Sequence, residues 1–108
     1  MRSALSVTMD KSIEFSERFL DPSDRANAVC ELEALGQEAI PILRGILDGT
    51  AKNNFLVSYN KLGMPVDCSL VVIRRLENSA KELKPFVEYW LERGHPYALE
   101  ALHAVNST

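Results

Sequence analysis

The chain has 108 residues, 46% of them apolar and 25% charged, and a formal charge of −3. That length makes one domain with a modest core, and the acidic balance excludes a general attraction to nucleic acid or anionic lipid. No stretch approaches the roughly 20 consecutive apolar residues of a membrane span, and in the opening "MRSALSVTMDKS" the apolar run is too short, and too soon followed by charges, for a secretory leader.

Helix signals follow one another from there. Asp10 is placed to cap a first helix to about Leu20, with Ile13, Phe15, Phe19 and Leu20 as apolar positions. In "DPSDRANAVCELEALG", Asp21 stands as the next N-cap, Pro22 as the first helical residue and Gly36 as the stop. Ala28, Val29, Leu32 and Leu35 share one face of that helix. Ala39, Ile40, Leu43, Ile46 and Leu47 form the stripe of its successor, which Gly49 closes. Past an irregular segment, Asp67 is expected to cap a helix bearing Leu70, Val72, Ile73 and Leu76. Leu83, Phe86, Val87, Trp90 and Leu91 make the next stripe, ended by Gly94. A last helix from near Pro96 carries Ala98, Leu99, Ala101, Leu102 and Val105. Apart from a short extended run at "FLVSY", everything reads as helix.

Part of this pattern returns at an offset of 44 residues. Ala28 falls on Val72, Val29 on Ile73, Leu43 on Val87, Ile46 on Trp90 and Pro41 on Pro85. A proline is tolerated there only because a helix's first turn makes no internal use of its N–H groups. The repeated proline therefore marks two helix starts independently of the apolar pattern. "RANAVCELEALGQEAIPILRGIL", with its Leu-Gly turn and "AIPxL" entry to a second helix, resembles a HEAT-type repeat. The second copy keeps the spacing and the proline but has Ser79-Ala80 in place of Leu-Gly. The resemblance implies an all-α fold, a short α-solenoid of about six helices. Repeat 1 would span 22–49 and repeat 2 would span 68–94, each a hairpin, with a capping helix at 96–106 and the first helix closing the other end. Such repeats cannot bury their apolar faces alone, so they stack.

Residues 50–67, "TAKNNFLVSYNKLGMPVD", join the copies with more chain than stacked hairpins need. Phe55, Leu56 and Leu62 are expected to tuck this loop over the helix ends. Asn53, Asn54, Tyr59 and Lys61 would then face a partner.

Catalytic chemistry finds no constellation to rest on. His95 stands beside Pro96 at a helix boundary, where a capping or turn role is expected. His103 lies three residues from Glu100, with no third ligand in helical register. The glycines are scattered rather than gathered into a phosphate loop, and Glu31 with Glu33, like Glu88 with Glu92, reads as a solvated face. Cys30 and Cys68 form neither a CxxC pair nor a metal-spaced set, so reduced thiols in a cytoplasmic protein are expected. A disulfide stays open, because sequence does not supply the Cα separation. The expectation is a non-enzyme with no metal and no cofactor.

Small, acidic helical-repeat proteins of this kind resemble bacterial immunity proteins. The resemblance implies a protein partner, a toxin or effector blocked by occlusion, with no nucleic acid and no membrane involved. Asn53, Asn54, Tyr59 and Lys61 would make the central contacts. Arg44, Asp48, Glu88, Tyr89 and Glu92 would flank them from the second helix of each copy, while Trp90 belongs to the core stripe. The alternative from another class is a non-catalytic accessory or adaptor subunit of a larger enzyme complex. Self-association through an open end of the stack is a third.

Overall fold

The computed structural model describes residues 4–107, so the first three residues of the opening stretch lie outside it. Helix α1 (Ala4–Leu20) begins well before Asp10, which lies inside the helix rather than at its cap. Nothing in "ALSVTM" breaks a helix, so it continues toward the N-terminus. Asp21 does take up local amides: its Oδ1 accepts from the Ser23 N–H at 2.9 Å and the Ser23 hydroxyl at 2.8 Å. That side-chain turn occupies Pro22 to Asp24, so α2 (Arg25–Ala34) starts three residues later than expected.

A 3-10 turn at Gly36–Glu38 leads into α3 (Ala39–Leu47), which buries Ala39, Ile40, Leu43, Ile46 and Leu47. Helix α4 (Met64–Leu76) also starts early, with Pro65 and Asp67 in its first turn. It is followed by α5 (Lys84–Glu92) and α6 (Ala98–Val105). Between α4 and α5 no loop intervenes: Glu77–Leu83 form a 3-10 run kinked at Ala80. With α4, that run and α5 taken as one kinked element, the helices number five among the described residues, not the six expected. The cause is local. In the first copy Gly36 adopts φ +59° and turns the chain out of the helix. The second copy has no glycine there, and the chain tightens into 3-10 geometry, with Glu77 taking φ +54°.

One apolar core runs through the molecule, from Phe19 and Leu32 through Leu43, Ile46 and Leu70 to Leu83, Val87 and Val105. Helix α1 packs on α2, α3 and α4, while α2 lies on α4, α4 on α6 and α5 on α6. The expected hairpin partners, α2 with α3 and α4 with α5, are not among the close pairs. On the first copy α1 takes that place, burying Ser12, Phe15, Ser16 and Phe19. Leu35 and Leu99 depart from their stripes and are 37% and 51% exposed. Leu35 has passed the end of α2, where the helical periodicity no longer sets its direction.

Helices α1 and α3 cross closely at Gly45. Buried Ser12 donates its hydroxyl hydrogen to the Ile42 carbonyl at 2.7 Å. A Cβ on residue 45 would stand 2.6 Å from that Ser12 Oγ, so only glycine leaves room for the approach. Arg18 ties α1 to α2, with Nε 2.6 Å from Asp24 and Nη2 2.5 Å from Glu31. Those hydrogen bonds hold both carboxyls below their ordinary pKa. Among the described residues no strand forms, and no helix is long and apolar enough to cross a membrane.

Candidate functional site

The loop that leaves α3 is held by the helix end itself. The last carbonyls of a helix lack internal donors, and here the loop supplies them. Ala51 N–H donates to the Gly45 carbonyl at 3.0 Å, and Asn60 Nδ2 donates to the Leu47 carbonyl at 3.2 Å. The Ser58 hydroxyl reaches the Gly49 carbonyl at 2.8 Å. Asp48 turns back to accept from the Thr50 N–H at 2.9 Å and the Thr50 hydroxyl at 2.6 Å. Gly49, at φ +83°, makes the bend, and a Cβ there would press on Asn60.

Tyr59 is the anchor. It is 1% exposed, and its hydroxyl donates to Glu17 of α1 at 2.5 Å. Burial, with the Glu17 carboxylate adding to it, pushes the phenol pKa up, so the proton stays in that bond. Tyr59 was expected to face a partner, and that expectation is corrected: its ring is part of the core. An extended tyrosine can bury its ring where its hydroxyl meets an acceptor, and Glu17 is that acceptor.

Beyond Tyr59 the loop folds on itself into a small hairpin. Lys52 and Ser58 form a single antiparallel bridge. Asn53 organises everything inside it: its Oδ1 accepts from the Phe55 N–H at 2.9 Å and the Val57 N–H at 3.0 Å. Its backbone N–H donates to the Val57 carbonyl at 2.9 Å, and its carbonyl accepts from the Leu56 N–H at 3.0 Å. These four bonds close the tip's turn within the loop itself. The consequence inverts the second expectation, that Phe55 and Leu56 tuck the loop down. They stand out at the tip, 86% and 80% exposed, and Leu56 holds a left-handed backbone at φ +63°.

The remaining expected contact residues divide into groups. Asn54 is exposed in the tip and Lys61 is exposed in the 3-10 turn after Tyr59, whereas Asn53 is half-buried and internally engaged. Asp48 and Tyr89 come together with Asn60, Pro85 and Phe86 around a cleft of about 370 Å³ between the end of α3, the loop and α5. Tyr89 is 47% exposed, and the Arg93 guanidinium stacks on its ring at 3.4 Å from the centroid. Glu88 and Glu92 are exposed on α5, and Arg44 is exposed but paired with Glu82 at 2.9 Å. Trp90, its indole N–H buried without a hydrogen-bond partner among the described residues, packs edge-on against Tyr89.

His95 Nδ1 accepts from the Tyr97 N–H at 3.0 Å, which leaves the proton on Nε2 to meet Asp67 Oδ1 at 2.6 Å. With both ring nitrogens occupied, this pair fastens the start of α4 to the turn before α6. Both cysteines are free, Cys30 exposed and Cys68 buried, and burial pushes the Cys68 thiol up to about 11. Among the described residues no three His, Cys, Asp or Glu side chains stand close enough to hold a metal ion. Comparison of the chain with known protein families, with curated proteins and with solved structures gives no match.

Proposed function

We propose that the chain is a protein-binding helical-repeat module whose principal contact is the loop tip, Phe55 and Leu56. One observation carries this reading. Leu56 occupies a left-handed backbone, which costs a leucine about 1 kcal/mol relative to glycine, and its exposed side chain recovers nothing by packing. Strain of this kind, kept by a surrounding network, points to use rather than to folding. A rigid apolar tip also enters a groove with little ordering cost, which favours binding.

The stacked-repeat architecture is part of the proposal, and the links between the copies support it. Arg75 meets Glu33 and Gln37 meets the Ser79 carbonyl, each across 42 residues, and Arg44 meets Glu82 across 38. These separations approach the 44-residue period of the sequence, as nearest-neighbour stacking requires. In the narrower reading, which rests on the resemblance to bacterial immunity proteins, the module occludes a toxin or effector. The tip would then fill a groove on that protein, flanked by Asn54, Lys61, Asp48, Tyr89, Glu88 and Glu92.

The test is affinity capture with the tagged chain and with a Phe55→Ser/Leu56→Gly double variant. A stoichiometric protein held by the first and lost by the second, at undiminished thermal stability, is the expected result. Activity of that protein should be blocked only by the unaltered chain. Retention of the same partner by the double variant would remove the tip from the contact.

A further inference from the structure

The tip has a complement on its own chain. A cleft of about 610 Å³ opens between α1, α2 and α3, with Phe15, Ile42, Pro41 and the uncovered Leu35 and Val7 as its apolar lining. Its rim carries Glu14, Glu31 and Glu38 against one cation, Lys11. Glu31 is held by Arg18 and Glu14 faces Lys11 at 3.5 Å, while Glu38 makes no ion pair among the described residues. The tip reverses this pattern: between Thr50 and Val66 its only charges are Lys52 and Lys61. One surface is an apolar projection whose neighbouring charges are cations, the other an apolar cleft where carboxylates outnumber the lining cation and Glu38 has no ion pair among the described residues.

The two stand on opposite flanks of α1. The groove beside the tip uses Ile13, Glu17 and Leu20 of that helix, whereas the cleft uses Val7, Lys11 and Glu14. At 3.6 residues per turn these sets point away from one another, so a tip cannot reach the cleft of its own chain. We infer that the tip of one copy seats in the α1–α2–α3 cleft of a second copy, head to tail. The inference rests on the reading of the tip as a docking element and names a partner for it. Such a contact is heterologous, leaving one free tip and one free cleft at the ends, so assemblies lengthen as concentration rises. The area is small, which places association among weak and transient interfaces, in the upper micromolar range. Its charge pattern makes it weaken with added salt.

Sedimentation equilibrium of the full chain, over a concentration series reaching the millimolar range, tests this with two variants. Phe55→Ser/Leu56→Gly removes the tip, and Leu35→Arg fills the cleft from an exposed position that folding does not need; circular dichroism checks both folds. The unaltered chain should grow in mass with concentration, and each variant alone should stay monomeric. Mixed in equal amounts they should stop at a dimer, since one offers only a cleft and the other only a tip. A monomeric unaltered chain, variants that still associate, or a mixture that never dimerises each overturns the inference. If the unaltered chain is monomeric but the double variant still loses a captured protein partner, only the self-association fails and the tip reading stands. If the double variant loses neither, both fail.

Discussion

The α1–α3 crossing and the loop tip, separated by about ten residues of chain, obey opposite rules. At the crossing the side chains serve the fold: Gly45 has none because there is no room for one, and Ser12 spends its hydroxyl on a buried carbonyl. At the tip, Leu56 holds a backbone conformation that suits glycine or asparagine, and Phe55 beside it is 86% exposed. Packing accounts for Gly45 and Ser12, and not for the exposure of Phe55 and Leu56. The contrast singles out the part of the surface on which the proposal of a partner contact rests. Tyr59 stands between the two, a core residue by burial and a loop residue by position.

The comparison is easiest to break at that residue. Tyr59→Ala removes a fully buried ring and leaves Glu17 without its donor, and should cost about 3–5 kcal/mol in a urea titration. Tyr59→Phe keeps the ring and loses the hydrogen bond alone, at about 1 kcal/mol. A loss under about 1 kcal/mol for the alanine would mean that the base of the loop is not part of the core. The next effect belongs to the crossing. Gly45→Ala forces a methyl against the Ser12 hydroxyl and should cost about 1–3 kcal/mol. In a Ser12→Ala background the same change should cost less, because the clashing oxygen is gone. A double-mutant cycle measures that coupling, and strict additivity would show that the helices simply move apart.

Much of this was legible in the residues. The stripes at Ala28, Val29 and Leu32, and at Ala39, Ile40, Leu43 and Ile46, all lie in the core, because a helix buries what recurs at three- and four-residue steps. The roles within the loop were not legible in the same way. Hydropathy ranks Phe55 and Leu56 above Tyr59 as anchors, yet the ring that is buried is the one whose hydroxyl has an acceptor, and Glu17 lies 42 residues away in sequence. A local signal for the tip was present in Asn53, whose side chain suits a tight turn over the residues that follow. Read that way, it implies a loop that closes its own turn and has no use for Phe55 as a weight. The helix pairing escaped for a further reason: which helices touch depends on α1 filling the flanks of α2, α3 and α4, and a repeat pattern is silent about an element outside the repeat.

The smallest predicted effect separates the two regions most cleanly. Leu56→Gly should raise stability by up to about 1 kcal/mol, since glycine adopts the left-handed conformation without the Cβ conflict, less what its greater freedom costs in the unfolded chain. Nothing is lost in packing, because the leucine is 80% exposed. The same substitution should weaken binding at the tip. A variant that folds better and binds worse is not expected anywhere along the α1–α3 crossing, where each change harms the fold first. The readouts are the urea midpoint, at unchanged slope, and retention of the captured partner. If Leu56→Gly instead destabilised the chain, the leucine would be a structural residue after all, and the tip would fall under the same rule as the crossing.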